Sequence, residues 1–296
     1  MNTTICINQQ YSTTRLLTAQ QSAFEINAGF AFESILLLSK SEGRMGEGGL
    51  RTKGYFKTRL SGMPIITLVT VVFNCVKSIE NTILSVIDQT YSNVEYIIID
   101  GGSTDGTLDI IRQYNHAIDY WVSEPDKGIY DAMNKAIALA CGDWLIFIGA
   151  DDKLVSSYVL DYCVPLLKIK DAIYYGDVVF LQSGSVYGGK FNKYKLMQQN
   201  FCHQSMLYPM TIYKRKHYDL NYKYLADYKY NIELMGKDVR FIYLRKIICI
   251  FNAEGASSVG DVKFADNKQH IIRNEMGFFY GVIKIIRTLI VRILKD

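Results

Sequence analysis

The sequence predicts an α/β fold in which a mostly parallel sheet is flanked by helices, and three observations between Ile65 and Asp152 carry that expectation. Apolar runs stand at residues 65–74, 94–99 and 143–150, the first of them near-continuously β-branched and without alternation, the pattern of strands buried on both faces. The segments between them repeat apolar residues at helical spacing, as crossovers between parallel strands require. Acids punctuate the ends of these units: Asp100 in VEYIIIDGGSTDGT, Asp126 in SEPDKGIYDAMNKA, and Asp151 with Asp152 in WLIFIGADDKL.

Taken in order, the first strand (65–74) leads into a helix over 78–89, whose apolar positions are Ile79, Ile83, Val86 and Ile87. The chain turns at TYSN into a second buried strand at 94–99. GGSTDGT cannot continue a strand, because Gly101 and Gly102 are permissive and Ser103 or Thr104 can cap a helix over 108–114. A short third strand is expected at 119–122. Ile129, Met133, Ala136, Ile137 and Ala140 then mark one helical face, with Gly142 as its stop, before DWLIFIGA supplies the fourth strand.

In an open parallel sheet, ligands lie outside the carboxyl ends of the strands, so acids placed there by separate strands converge on one crevice. A nucleoside diphosphate held by a divalent cation needs such groups: one carboxylate to accept from ribose or base, another to give a hard oxygen to magnesium or manganese. Asp151 and Asp152 repel each other directly after a buried strand, and a cation relieves that repulsion.

The segments TVVFN, DGGSTDGT, SEPDKGIYDAMNKA and FIGADD, spread over residues 64–154, resemble the nucleotide-binding half of family 2 glycosyltransferases. The likeness is greatest to those that build bacterial colanic acid, capsule and O-antigen chains. A weaker likeness continues through HQSMLY and ADYKYNIEL to EGASSVG. The resemblance implies the GT-A fold, with a Rossmann-like sheet, and an enzyme that moves a sugar from a nucleoside-diphosphate sugar to a hydroxyl with inversion at the anomeric carbon. It implies nucleoside binding by Asp100, further donor contacts from Asp126, Asn134 and Asp151, and a Mg or Mn cofactor held by Asp152, with Asp151 as second candidate. Relatives often carry another acid at Gly149 or Ala150, so part of the metal's inner shell here falls to diphosphate and water. His203 and Gln204 match a position beside the donor phosphates and acceptor, and Asp227 in ADY matches the family's general base.

Each of these positions also has a plain reading. Asp126 suits the positive end of the helix starting near Ile129, and Asp131 with Lys135 fits an i,i+4 surface ion pair. Asp105 fits turn chemistry, and His203, flanked by apolar residues, fits a structural histidine. Asp227 precedes Tyr228, Ile232 and Met235 at helical spacing, which makes it a natural N-cap as well as a candidate base.

The second half is expected to hold the acceptor. AIYYGDVVF (172–180) reads as a strand and SGSVYGGKF as a hairpin and loop. The basic residues Lys214, Arg215, Lys216 and Lys223 lie among tyrosines and fit either a solvated loop or a surface for a membrane or phosphorylated acceptor.

Composition excludes general disorder: 296 residues with 49% hydrophobic content can bury a full core. A charge of +4 is too slight to argue for nucleic acid. Six scattered cysteines without a CxxC pair indicate neither zinc nor a disulfide framework, and a reducing cytosol fits them. No GxGxxG opens a helix after a strand, and GxxxxGK[ST] is missing, which argues against dinucleotide oxidoreductases and P-loop phosphotransferases.

The expected organisation is an N-terminal extension of unknown role (1–62), a glycosyltransferase domain (63–262, with a nucleotide-sugar half at 63–154 and an acceptor half at 155–262) and a C-terminal tail (263–296). The extension lacks the early basic region and long apolar stretch of a signal peptide. In the tail, Lys284, Arg287, Thr288, Arg292 and Lys295 fall within an arc of roughly 140° on a helical wheel, opposite a wide apolar face. That pattern fits core packing or, with its cationic border, an anionic membrane surface; Lys284 and Arg287 interrupt any bilayer span. The resulting expectation is a peripheral, cytoplasm-facing enzyme acting on a lipid-linked bacterial surface glycan. A sugar-phosphate nucleotidyltransferase and a sugar-nucleotide-binding subunit without turnover are the alternatives.

Overall fold

The computed structural model describes residues 4–20, 35–254 and 260–277. The N-terminal extension contributes β1 (Leu17–Thr18), β2 (Gly46–Gly48) and β3 (Phe56–Lys57). The expected repeat follows as β4 (Ile66–Val72), α1 (Ile79–Ile87), β5 (Val94–Asp100), α2 (Thr107–Gln113), β6 (Tyr120–Ser123), α3 (Ile129–Leu139) and β7 (Trp144–Phe147). Then come β8 (Lys153–Leu154), α4 (Val159–Cys163), β9 (Ile173–Phe180), β10 (Val186–Tyr187), α5 (Lys193–Gln198), β11 (Met206–Pro209), α6 (Met210–Tyr213), α7 (Ala226–Gly236), β12 (Phe241–Phe251) and α8 (Val262–Met276).

Among the described residues ten strands form one sheet, in the order β2, β6, β5, β4, β7, β11, β9, β12, β8, with β10 paired to β9. The block β6-β5-β4-β7 is parallel throughout. Beyond it β11 runs antiparallel to β7 and β9, while β9 and β12 pair in parallel. The apolar runs lack alternation because both faces are covered. Along β4 and β5, Val69, Ile97 and Ile99 face the layer that contains α3 and α7, whereas Ile66, Leu68, Tyr96 and Ile98 face the layer that contains α1 and α2. Since β5 lies on one side of β4 and β7 on the other, the chain reverses direction across β4. The crevice belongs at that switch point.

Two local expectations are corrected. Neither Ser103 nor Thr104 caps α2. The Asp105 carboxylate instead accepts from Thr107 N at 3.0 Å and Val76 N at 3.0 Å, which is turn chemistry, and leaves the Ser103 hydroxyl for Asp100. Asp131 does not pair with Lys135: its Oδ2 takes Lys127 N at 3.0 Å, while Lys135 Nζ reaches Glu124 Oε1 at 2.9 Å, a less exposed acceptor. In the basic stretch, Tyr213, Tyr218 and Tyr222 are buried and Lys216 is paired to Glu233.

The N-terminal extension is joined to the sheet. β2 pairs antiparallel with β6, so the extension covers an otherwise open edge. Arg51 reaches into the interior, where its Nη2 stands 2.6 Å from Glu95 Oε1 and its Nη1 caps the α3 end at Leu139 O, 2.9 Å away. Burial opposes the Glu95 charge, but Arg51 prevails and holds its carboxyl below the usual range. Lys57 Nζ lies 3.6 Å from Asp119 Oδ1, and burial still lifts the Asp119 carboxyl to about 6.

At the other end α8 is capped by Asp261, whose side chain accepts from Phe264 N. The amphipathic stretch expected over 279–295 lies outside the described residues, as do residues 255–259 of EGASSVG. Among the described residues no helix is long and apolar enough to cross a membrane.

Candidate active site

Asp100 closes β5 and is fully buried. Its Oδ2 accepts from Ser103 N at 3.0 Å and from Ser123 Oγ at 2.5 Å, and its Oδ1 accepts from the Ser103 hydroxyl. Two strand ends and the glycine turn are therefore tied to one carboxylate. Asp126 joins the same floor. Its Oδ1 takes Gly128 N at 2.7 Å at the start of α3, and a Cβ on Gly101 would stand only 2.6 Å from its Oδ2. A side chain at residue 101 would push the Asp126 carboxylate away from this position. Burial raises the Asp126 carboxyl.

Asp151 and Asp152 follow β7 and fold back over Gly149, where a Cβ would lie 2.5 Å from Asp152 Oδ2 and 3.2 Å from Asp151 Oδ1. Asp152 is 2% exposed; its Oδ1 accepts from Asn252 N at 2.7 Å and its Oδ2 from Gln204 Nε2 at 2.8 Å. Burial pushes its carboxyl up to about 6, with the Asp151 charge adding to the rise against the Asn252 and Gln204 donors. Asp151 is less covered, and its Oδ2 accepts from Asn252 Nδ2 at 2.9 Å. Among the described residues, no hydrogen bond engages its Oδ1.

Asp227 lies in the first turn of α7 and is 5% exposed. The expected N-cap role is corrected: Leu225 holds the cap position, no side chain caps the helix, and Asp227 is already inside it. Its carboxylate points at other elements. Oδ1 accepts from Tyr130 Oη at 2.6 Å and Oδ2 from Asn200 Nδ2 at 2.7 Å, while His203 Nδ1 stands 3.5 Å from Oδ2.

One short turn thus meets both Asp152 and Asp227. The 3-10 turn His203–Ser205 places His203 against Asp227 and Gln204 against Asp152. Gln204 Oε1 also accepts from Cys202 Sγ at 2.9 Å. Asn134 goes elsewhere, since its amide is taken up by Tyr218, donating to the carbonyl at 3.0 Å and accepting from the backbone N–H at 2.9 Å. It latches α3 to the loop before α7.

Tyr130, Asn200 and Asn252 are not among the candidate site residues that the sequence motifs supply. A tyrosine on an apolar helical face needs a hydroxyl partner, which is a signal for Tyr130. Asn200 and Asn252 carried none, because their partners are remote in sequence.

Chemically, a buried carboxylate fixed by neutral donors can take a proton or face a cation. No group of three or more His, Cys, Asp or Glu side chains able to hold a metal occurs among the described residues. The adjacent oxygens of Asp151 and Asp152 nevertheless fit a hard divalent cation that takes its remaining ligands from diphosphate and water.

Comparison with known proteins gives three findings. The profile described as Glycosyl transferase family 2 matches residues 67–248. The PGL/p-HBAD biosynthesis glycosyltransferase of Mycobacterium bovis is 30% identical over 203 residues, covering 66% of this chain and 79% of that protein. Among solved structures, S. aureus TarS 1-349 in complex with UDP-GlcNAc superposes with a TM-score of 0.59 at 16% identity, over 71% of this chain and 66% of that one. A longer TarS chain is covered to only 43%. The mannosyltransferase PcManGT from Pyrobaculum calidifontis, in complex with GDP-Man and Mn2+, gives 0.50 at 15% identity over 76% of this chain and 64% of that one. At such identities the likeness is one of fold.

Proposed function

Because the chain belongs to glycosyl transferase family 2, we propose that it transfers a sugar, with inversion, from a nucleoside-diphosphate sugar to a hydroxyl of a lipid-linked glycan of the cell surface. The observation that carries this reading is the pairing of two buried carboxylates through one turn: Gln204 on Asp152 and His203 on Asp227.

Asp100 and Asp126 bind the nucleoside end of the donor, and Asp227 takes the acceptor proton. An acceptor hydroxyl is a weak nucleophile near neutral pH, so its attack on the anomeric carbon needs a carboxylate to receive that proton. The bond from the anomeric carbon to the diphosphate oxygen breaks as the new glycosidic bond forms. Tyr130 and Asn200 hold the Asp227 carboxylate in one orientation during the transfer, which limits the loss from misplacement. A divalent cation at Asp152 and Asp151 supplies, when bound, positive charge for the leaving diphosphate. Residues 63–154 are the donor half and 155–262 the acceptor half in this reading. The basic amphipathic tail would bring the enzyme to the cytoplasmic face of a membrane, beside its acceptor.

The TarS and PcManGT complexes make UDP and GDP sugars the first donors to try. Calorimetry with UDP, GDP and dTDP sugars, each with and without MnCl2, is expected to show metal-dependent binding of at least one. Asp152→Asn keeps the shape and loses the charge, so it is expected to abolish the metal-dependent part of that binding and nearly all turnover. Unchanged manganese dependence in the folded variant would overturn the metal assignment.

A further inference from the structure

The donor-side acids are held from outside the repeat that supplies them. Glu124, between Ser123 and Asp126, is 5% exposed and gives its backbone N–H to Asp100 O at 3.0 Å. Its Oε2 accepts from Arg44 Nε at 2.9 Å, from Arg44 Nη2 at 2.8 Å and from the Ser41 hydroxyl. Arg44 is itself fixed, donating from Nη2 to Ser39 O at 2.6 Å and from Nη1 to Glu47 Oε2 at 2.5 Å. The residues next to it follow the same edge. Met45 N donates to Ser123 O at 2.8 Å, and Pro125 atoms would lie 3.4 Å from a Cβ on Gly43. Met45 Sδ would lie 3.7 Å from a Cβ on Gly102, yet Met45 is 44% exposed. The extension therefore runs along the carboxyl end of β6 and turns an exposed thioether toward the glycine turn that follows Asp100.

We propose that residues 41–45 of the N-terminal extension form the outer wall of the nucleoside end of the donor crevice, with Arg44 as the positioning residue that fixes residues 123–126 and Met45 as the wall side chain that faces the bound nucleoside. This rests on the reading of Asp100 and Asp126 as donor-binding acids. Two donations from one rigid guanidinium onto Glu124 Oε2 hold that oxygen in place with less freedom than the single flexible contact an ammonium makes. Without Arg44, the 123–126 segment keeps the Lys135 contact to Glu124 Oε1 at 2.9 Å but loses its side-chain tie to residues 41–44, which lowers the fraction of molecules with Ser123 and Asp126 in the arrangement that serves the crevice. Apparent affinity then falls with the fraction of molecules in the competent arrangement.

The test is calorimetric binding of UDP, GDP and dTDP, each with MnCl2, to the full-length chain. Arg44→Ala is expected to weaken the nucleotide that the wild type binds by roughly ten-fold or more, with Arg44→Lys recovering only part of the loss. Met45→Ala removes an exposed side chain that does not touch the clamp, so it is expected to leave melting unchanged and weaken nucleotide roughly three-fold through lost apolar contact. Binding by folded Arg44→Ala within roughly two-fold of wild type means that the competent fraction is essentially unchanged, and overturns the clamp. Should Arg44→Ala not fold, Met45→Ala decides: wild-type affinity for all three nucleotides overturns the wall. If the wild-type chain binds none of the three, the donor-site reading fails and this inference falls with it. If the wild type binds and the variants do not differ from it, the inference alone fails.

Discussion

Two sets of buried carboxylates in this molecule receive opposite treatment. Under the N-terminal extension, Glu95 and Asp119 are buried with Arg51 and Lys57 at 2.6 and 3.6 Å. At the carboxyl ends of the strands and the start of α7, Asp100, Asp152 and Asp227 are buried just as deeply, yet their hydrogen-bond donors are serines, a tyrosine, amides and backbone N–H groups. Among the described residues no lysine or arginine forms a salt bridge with any of these three. Burying an uncompensated charge is costly. A fold that neutralises one set with cations and leaves the other to neutral donors keeps the second available for something that arrives from solution, a proton or a cation. On the proposed function, the difference separates carboxylates that hold the fold together from carboxylates that serve the site.

The sharpest way to break this comparison is at Asp227. Asparagine preserves the side-chain shape and removes the charge. Asp227→Asn is expected to lower turnover by about two to four orders of magnitude, the usual worth of a general base, while melting stays level or rises because no lysine or arginine is left behind. Single-turnover kinetics with a donor found by the binding screen, alongside differential scanning calorimetry, would check both halves. Near-normal turnover would remove Asp227 from the chemistry. A large fall in melting temperature would place it with the structural set.

Arg51 is the converse test. Arg51→Met keeps much of the apolar stem but strands Glu95, whose remaining donors are the Thr67 hydroxyl at 2.6 Å and Cys141 N at 2.8 Å. Breaking a buried pair from one side costs about 3–5 kcal/mol, a large share of a domain stability of about 5–15 kcal/mol. Urea unfolding is expected to show that loss, and adding Glu95→Gln to recover part of it. A cost below about 1 kcal/mol, the range of an exposed pair, would mean that Glu95 is neutralised by other means and that the two sets do not differ as described.

What could be read in the sequence follows the same divide. The parallel block and its acids were legible because strand, turn and helix follow each other within a few residues: Asp100 meets Ser103, Asp105 meets Thr107, and Asp126 meets Gly128. The extension was illegible, since Arg51 finds Glu95 across 44 residues and the edge strand β2 is the weakly patterned Gly46–Gly48. The surroundings of Asp227 were partly hidden for that reason too, with Tyr130 lying 97 residues away. The ion pair expected between Asp131 and Lys135 failed because i,i+4 spacing only permits a contact, and Glu124 offered Lys135 a better one. Strand β12 (Phe241–Phe251) is interrupted by charged Arg245 and Lys246, which masked it.

The smallest expected effect concerns Glu124, the carboxylate on the border between the two sets, which adjoins the donor segment yet is held by Arg44 and Lys135. Burial alone would raise its carboxyl, but the donors Ser41, Lys135 and Arg44 outweigh it and hold the group at about 2, down from 4.5. A depressed carboxyl contributes stability that is fully present above its unfolded value and is lost as pH falls through the folded one. The window is therefore pH 4.5 down to about 2. Glu124→Gln keeps an acceptor oxygen for Arg44 but not its charge, and a charged acceptor is worth about 1 kcal/mol more than a neutral one per bond. At pH 7 the variant is expected to melt slightly below wild type. As the pH falls through the window the two curves should converge, because wild type gains the proton that the variant has no need to take. Parallel melting curves across the whole range would show that the cations around Glu124 do not stabilise it, and would move Glu124 into the cation-free set with Asp152 and Asp227.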